Sequence, residues 1–306
     1  MTKSNQLSCF KAYDIRGEIN VEINEEISFL IGYATAKKLK AEKVVVGYDA
    51  RETSPKLSNS VIDGIKAYGA NVLLLGLAGT EEVYQAVVSF GADAGIEITA
   101  SHNPINYNGM KIVKSGSQPL TIDEFAEIKL FVENNNFKKS KYPGQLMDCQ
   151  IQARAAYINK IVSFINLKCL KPLKIVLNSG NGAAGPVIDA LENFLTDKSI
   201  KVDFIKVHHD PDPNFPHGIP NPLLEENRAS TSEAVKKVGA DFGVAFDGDF
   251  DRCFFFDNLG NFIPSEYIVG VLAEVFLNKE KSATIIHDPR VIFNTVDIVK
   301  ACGGTV

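Results

Sequence analysis

The six residues Gly91-Ala92-Asp93-Ala94-Gly95-Ile96 return further along the chain as Gly239-Ala240-Asp241-Phe242-Gly243-Val244. Recurrence of this kind means that one supersecondary unit has been used twice. Each copy feeds a short apolar run, and each run opens into a polar loop. The first loop is Thr99-Ala100-Ser101-His102-Asn103-Pro104, the second Asp247-Gly248-Asp249-Phe250-Asp251-Arg252. Around both copies, apolar runs of strand length alternate with helical patterns, which predicts α/β units built on mixed, mostly parallel sheets. The first unit should hold strands at Val44–Gly47, Val72–Leu75 and Ile96–Thr99 and a helix over Pro55–Tyr68. The polar stretch Asn134–Gly144 reads as a linker. The second unit should open with a helix near Arg154–Asn166. A strand at Leu173–Leu177, a helix at Pro186–Asn193 and strands at Val202–Val207 and Phe242–Phe246 follow. The two polar loops then leave equivalent strand ends, and the carboxyl ends of parallel strands are where α/β proteins bind ligands. Tandem repeated α/β domains with an active site in the cleft between them are the expectation.

A third unit begins after Asp257. Ile285-Ile286-His287-Asp288-Pro289-Arg290 echoes Val45–Arg51 with one residue fewer, and Ala301-Cys302-Gly303-Gly304-Thr305-Val306 echoes Ala67–Val72. By that comparison the chain stops at its third unit's second strand, so the expected domains are 1–146, 147–256 and a truncated 257–306. A unit of about 50 residues cut in mid-sheet buries little surface and leaves an open edge, which is the reason to expect a fragment.

Length and composition agree with an ordinary globular protein of about two domains: 306 residues, 45% apolar and 23% charged. A net charge of −5 gives no electrostatic reason to expect nucleic acid or an anionic membrane as partner. No basic start leads into an apolar stretch, and no run approaches the roughly 20 apolar residues of a membrane span. The five cysteines are scattered and form no Cys-x-x-Cys pair, as expected of reduced structural thiols in a cytoplasmic protein.

Asp247, Asp249 and Asp251 put three carboxylates within five residues after an apolar run. In an extended loop alternate side chains share one side, so all three can converge on one hard cation, and magnesium suits a site with few protein oxygens. A solvated acidic turn is the plainer alternative. An EF-hand is excluded, because Arg252 and Asn258 stand where its glycine and final glutamate belong. A phosphatase of the haloacid-dehalogenase type would use Asp247 as nucleophile, although Asp251 replaces its usual threonine. Ser101 beside His102 suggests hydrolase chemistry, but adjacent residues rarely form the base-to-nucleophile bond, and no Gly-x-Ser-x-Gly elbow is present. Read locally, Ser-His-Asn-Pro is a structural turn; the repeat sets it opposite the acidic cluster.

Gly180-Asn181-Gly182-Ala183-Ala184-Gly185 matches a dinucleotide fingerprint, with Asp203 downstream. Asp203 lies inside the alternating run Lys201–Val207, not at a strand end, so a structural glycine turn is the better reading. His208, His209 and Asp210 precede Pro-Asp-Pro and read as an exposed loop more than a metal pair. His217–Pro222 reads as a rigid loop. Lys111 and Arg16, taken alone, look like surface charges.

Together, Phe10–Gly17, Thr99–Pro104, Asn108–Lys111 and Asp247–Arg252 resemble the α-D-phosphohexomutase superfamily. The wording of Thr80-Glu81-Glu82 and Asn178–Gly185 resembles its bacterial phosphomannomutases of nucleotide-sugar synthesis. The resemblance runs from about Cys9 to Val306. It implies that Ser101 is phosphorylated in the active enzyme and that Asp247, Asp249 and Asp251 hold one Mg2+ with a phosphoserine oxygen. It further implies that Arg252 contacts the phosphoryl group, Lys111 is the general acid/base, and Arg16 and His102 are active-site contacts. The domains become a phosphoserine domain, a metal-binding domain and the start of a sugar-binding domain. The family's Gly-Glu-Met-Ser sugar loop and its Arg-x-Ser-Asn-Thr-Glu-Pro phosphate loop would lie beyond Val306.

The implied reaction interconverts mannose 6-phosphate and mannose 1-phosphate through a phosphoserine and a sugar bisphosphate, which also serves as activator. Phosphoryl transfer asks a protein mainly for in-line positioning and charge neutralisation, and Lys111 can relay a proton if its surroundings lower its pKa. Phosphoglucomutase activity, a magnesium-dependent phosphatase using Asp247, and a non-catalytic phosphosugar-binding fragment are the alternatives.

Overall fold

Both copies of the repeat become the central strand of a sheet. The computed structural model of the protein describes residues 7–135, 137–289 and 293–306. The first unit contains β1 (Ile15–Glu18), α1 (Glu25–Leu39), β2 (Lys43–Tyr48), α2 (Ser54–Tyr68), β3 (Asn71–Leu77) and α3 (Thr80–Ser89). It continues with β4 (Ala94–Ile98), β5 (Tyr107–Lys114), β6 (Gln118–Pro119), α4 (Ile122–Asn134) and β7 (Leu146–Asp148). The second contains α5 (Gln150–Ser163), β8 (Leu173–Asn178), α6 (Gly185–Asp197), β9 (Val202–Val207) and α7 (Ala229–Val238). Its last strands are β10 (Phe242–Phe246), β11 (Cys253–Phe256) and β12 (Phe262–Ile263), after which come α8 (Ser265–Lys279) and α9 (Phe293–Ala301).

The sheets run β1-β5-β4-β2-β3-β7, with β6 beside β5, and β12-β11-β10-β8-β9. Their centres are the same motif. In each, a strand from the repeat lies parallel to the unit's first long strand and antiparallel to the strand after its polar loop. Strands β2, β4 and β10 are apolar runs without alternation because helices cover both faces. Every residue of β4 is buried. That makes Glu97, its one charged residue, conspicuous.

The predicted strands and helices of both units are present, with two differences that matter for the site. Thr99 is not the end of β4 but the first residue of the loop, where its hydroxyl accepts the Ser101 N–H at 2.8 Å. The stretch read as a linker is tied to the first unit. Ser140 N–H donates to the Ala67 carbonyl at 2.7 Å and Gly144 N–H to that of Lys66 at 3.0 Å; Asn136 lies outside the described residues. Strand β7 then pairs parallel with β3, so the first sheet runs across residue 146 and ends at Asp148. Similarly, β12 extends the second sheet past Phe256.

Helix α5 locks the units together. Its amino-terminal half packs with the first unit's core through Ala153, and its other half fills the second core with Ile158 and Val162. Arg154 in between donates to Glu82 at 2.8 Å and to the Leu77 carbonyl at 2.9 Å. After residue 256 the echo of the first unit takes physical form as a parallel bridge between Thr284 and Thr305, with Ala273, Leu277 and Val299 packed beneath it. Arg290 of that echo lies outside the described residues.

Candidate active site

The loop after β4 and the loop after β10 meet face to face. Ser101 occupies a left-handed backbone conformation at φ +49, and Phe250 does the same in the partner loop at φ +44. Non-glycine residues rarely take this conformation unless surrounding contacts over-determine it. For Ser101 those contacts come from Arg51, which is 2% exposed. Its guanidinium donates to the carbonyls of Ser101 at 2.9 Å, Asn103 at 2.6 Å, Pro104 at 2.8 Å and Tyr107 at 3.1 Å. For Phe250 the anchor is burial of its ring against Tyr157 and over Gly79, where a Cβ would lie 2.2 Å from the ring. Gly248 lets the loops approach, since a Cβ there would lie 2.8 Å from the Ser101 carbonyl oxygen.

Ser101 Oγ donates to Asp247 Oδ2 at 2.6 Å, accepts from Arg252 Nη2 at 3.0 Å and lies 3.1 Å from His102 Nδ1. Arg252 also binds Asp247 through Nε at 3.0 Å and touches His102. Arg16 is partly buried, not a surface charge. It bonds Asp14 at 2.9 Å and the Thr99 carbonyl at 3.0 Å, at the root of the serine loop. Burial, followed by the nearby guanidinium groups of Arg252 and Arg16, lowers the pKa of His102.

Asp249 sits at the amino terminus of α3, where helix dipoles favour negative charge. Thr80 donates to it with Oγ1 at 2.7 Å and with its N–H, to the Asp249 carbonyl, at 3.2 Å. Lys111 reaches the same carboxylate at 2.6 Å, contacts Asp251 and lies 3.2 Å from Thr80 Oγ1. The ligand oxygens of Asp247, Asp249 and Asp251 all fall within 4.8 Å of one another. Burial, then the charge of Asp249, raises the Asp247 carboxyl to about 7. Burial would raise Asp249 as well, but the Lys111 ammonium and the hydrogen bonds from Lys111 and Thr80 together outweigh it and hold that carboxylate far below the usual range.

A hard divalent cation fits this donor set. It consists of oxygens only, it is short of positive charge, and Asp249 Oδ1 is buried without a hydrogen-bond partner. Among the described residues no other group of three His, Cys, Asp or Glu side chains lies within metal-binding reach. His208 stacks on His217 with ring centroids 3.6 Å apart, while His209 turns to Asp189 at 2.8 Å. The glycine-rich segment is a turn between β8 and α6 that packs on the aspartate loop, with Ala183 N–H donating to the Gly248 carbonyl at 3.0 Å.

Comparison with known proteins agrees with this geometry. The family pattern described as phosphoglucomutase/phosphomannomutase, alpha/beta/alpha domain I matches residues 8–139, and the pattern for domain II matches residues 155–260. The chain belongs to the phosphoglucomutase/phosphomannomutase family. The phosphomannomutase of Escherichia coli strain K12 is 51% identical over 98% of this chain and 66% of its own length. That of Vibrio cholerae is 50% identical over 98% of this chain and 65% of its own. The chain thus spans about two thirds of the length of these curated relatives. A crystal structure of a phosphoglucomutase/phosphomannomutase family protein from Burkholderia thailandensis superposes with a TM-score of 0.87 at 31% identity, covering 98% of this chain and 65% of that one. Family membership and the aspartate cluster together point to a metal ion. Among the described residues no helix is long and apolar enough to cross a membrane.

The sequence makes Lys111 a proton relay on the condition that its surroundings lower its pKa. Burial does act in that direction, but Asp249 and Asp251 more than reverse it and push the ammonium up. Held between those carboxylates, Lys111 is here their counter-charge. Three site residues were missed by sequence reasoning. Arg51 appeared only as part of an echo, Thr80 only within a resemblance, and Glu97 not at all. For Glu97 the signal was present as a lone charge in an apolar run predicted to be buried.

Proposed function

We propose that the chain is the phosphoryl-carrying part of a phosphosugar mutase that interconverts mannose 6-phosphate and mannose 1-phosphate, with Ser101 as carrier. The carrying observation is the 2.6 Å contact between Ser101 Oγ on one sheet and Asp247 on the other, with Arg252 bound to both. A serine that merely shaped a turn would have no need of a guanidinium and an aspartate from a second domain. In this reading the first unit bears the phosphoserine, the second the cation, and residues from 257 onward begin the sugar-binding unit.

The phosphoryl group on Ser101 passes to the free hydroxyl of the hexose phosphate. The new bond forms between the sugar oxygen and phosphorus, the bond from Ser101 Oγ breaks, and the hydroxyl proton leaves to a base. The product is a hexose 1,6-bisphosphate, which turns over in the cleft and returns its other phosphoryl group to Ser101 Oγ. Added bisphosphate therefore acts as an activator, by phosphorylating the serine. Arg252 presents fixed donors matched to the phosphoryl oxygens, Arg16 steadies the loop from Thr99, and His102 lies beside the transferring group. A magnesium ion held by Asp247, Asp249 and Asp251 with a Ser101 phosphate oxygen would supply Lewis-acid neutralisation of the phosphoryl charge, worth several kcal/mol. Lys111, the candidate general acid/base, can take the hydroxyl proton only after it leaves its two carboxylates and gives up its own ammonium proton. A cytoplasmic setting suits the five free cysteines.

The test is intact-mass analysis after incubation with hexose 1,6-bisphosphate and Mg2+, followed by assay with both hexose phosphates. A phosphate retained on the wild type and absent from Ser101→Ala is expected. Release of inorganic phosphate that survives Ser101→Ala but not Asp247→Asn would mean a phosphatase instead.

A further inference from the structure

Glu97 is fully buried, and neither of its carboxyl oxygens has a hydrogen-bond partner. Buried polar groups are nearly always paired, and one that is not calls for an explanation. Room for it is made by Gly47 on β2, where a Cβ would lie 2.5 Å from Glu97 Oε2. On its other side Glu97 is the direct antiparallel partner of Lys111. Opposed side chains of such a pair share one face of the sheet with Cβ atoms about 4.5–5.5 Å apart. The flexible four-carbon stem of a lysine covers that span with ease. Yet the Lys111 ammonium is turned away from its neighbour, onto Asp249, Asp251 and Thr80 of the cleft.

Lys111 therefore has two anionic destinations, one across the domain seam and one on its own sheet. Asp249 and Asp251 belong to the aspartate cluster, and an ammonium and a divalent cation on the same two carboxylates would repel each other strongly. We infer that Glu97 is a positioning residue, the counter-anion that receives the Lys111 ammonium when a divalent cation takes Asp249 and Asp251. The inference rests on the cation site of the proposed function. It accounts for an otherwise unpaired carboxyl group, and it couples cation binding to where Lys111 stands in the cleft.

Calorimetric titration of Mg2+ into the wild type and into Glu97→Gln, Lys111→Met and the double variant tests the coupling. Lys111→Met is expected to bind Mg2+ more tightly than the wild type, because no ammonium competes for the carboxylates. Glu97→Gln is expected to bind about tenfold more weakly, the order of coupling between contacting charged groups. In the Lys111→Met background the Glu97 substitution should have no further effect. Equal affinity of Glu97→Gln and wild type, or an equal loss in both backgrounds, overturns the inference. A second measurement needs no variant: acylation of Lys111 by acetic anhydride, read by mass spectrometry, should slow when Mg2+ is added to the wild type. Unchanged or faster labelling overturns the inference as well. If the wild type binds no Mg2+, or if Asp249→Asn binds as well as the wild type, the cation site itself fails.

Discussion

The hydroxyl of Ser101 and the carboxylate of Asp247 lie 2.6 Å apart although they belong to different sheets. Each stands in the loop that follows the repeated strand of its own unit. The duplication thus built the site by pointing two copies of one strand end at each other. What differs is the chemistry of the loops: a hydroxyl with His102 on one side, three carboxylates with Arg252 on the other.

The shape of the serine loop depends on Arg51. Its four donated bonds go to the carbonyls of Ser101, Asn103, Pro104 and Tyr107. Arg51→Lys keeps a charge but loses the planar fork, and the buried Ser101 carbonyl then stands to lose its donor. Each such loss costs about 1–3 kcal/mol. Urea denaturation is expected to show a destabilisation of about 2–4 kcal/mol by the same reckoning. Phosphorylation of Ser101 by hexose 1,6-bisphosphate should fall further than the loss of folded protein explains. A midpoint equal to that of the wild type would mean that the loop holds itself.

Gly248 has a different duty. An alanine methyl would stand 2.8 Å from the Ser101 carbonyl oxygen, so one of the two loops must shift. Gly248→Ala is expected to fold, because the clash lies at the seam, but to part the two loops. A misplacement of about 1 Å is enough for roughly a hundredfold loss of rate. The rate of Ser101 phosphorylation, compared with the thermal melt of the same sample, separates that outcome from simple unfolding.

Sequence alone revealed the architecture because the repeat carried it. Strands read as unbroken apolar runs, the helix from Pro55 has its proline in the first turn, and the equivalence of the two loops followed from aligning Gly91 with Gly239. The triplet Asp247, Asp249 and Asp251 was legible because carboxylates so close together need a reason. Arg51 was not, since a buried arginine serving carbonyls looks in sequence like any loop arginine. The ionisation of Lys111 is not legible in sequence, because it depends on Asp249 and Asp251, distant along the chain and brought near by the domain seam. The stretch Asn134–Gly144 reads as a linker on composition, whereas Ser140 and Gly144 are bonded to the end of α2 and the chain then pairs as β7 with β3.

Cation removal should loosen the same seam. Phosphorylation adds about −1.5 to −2 charges to Ser101 near neutral pH, facing three carboxylates that Arg252 and Lys111 contact. Limited proteolysis of the phosphorylated protein is expected to cut within residues 99–107 faster in chelator than in Mg2+. Equal cleavage in both conditions would show that no ion bridges the loops.

The buried Glu97 carboxyl gives the metal-free protein a pH signature. Burial, then the charges of Asp49 and Asp249, holds it well above the ordinary value of 4.5. The native state therefore binds this proton more tightly than the unfolded chain does. The stability it contributes is complete below the unfolded pKa and is lost as pH rises through the folded one. The decline cannot exceed about 1.4 kcal/mol per pH unit for one group. Glu97→Gln carries no ionisable proton, so its unfolding free energy should lack that part of the decline, and the two proteins should draw apart toward alkaline pH. Urea titrations of both chelated proteins between roughly pH 5 and 9 measure the difference. Parallel curves would mean that Glu97 ionises in the native state as easily as in the unfolded chain, which its lack of any hydrogen-bond partner argues against.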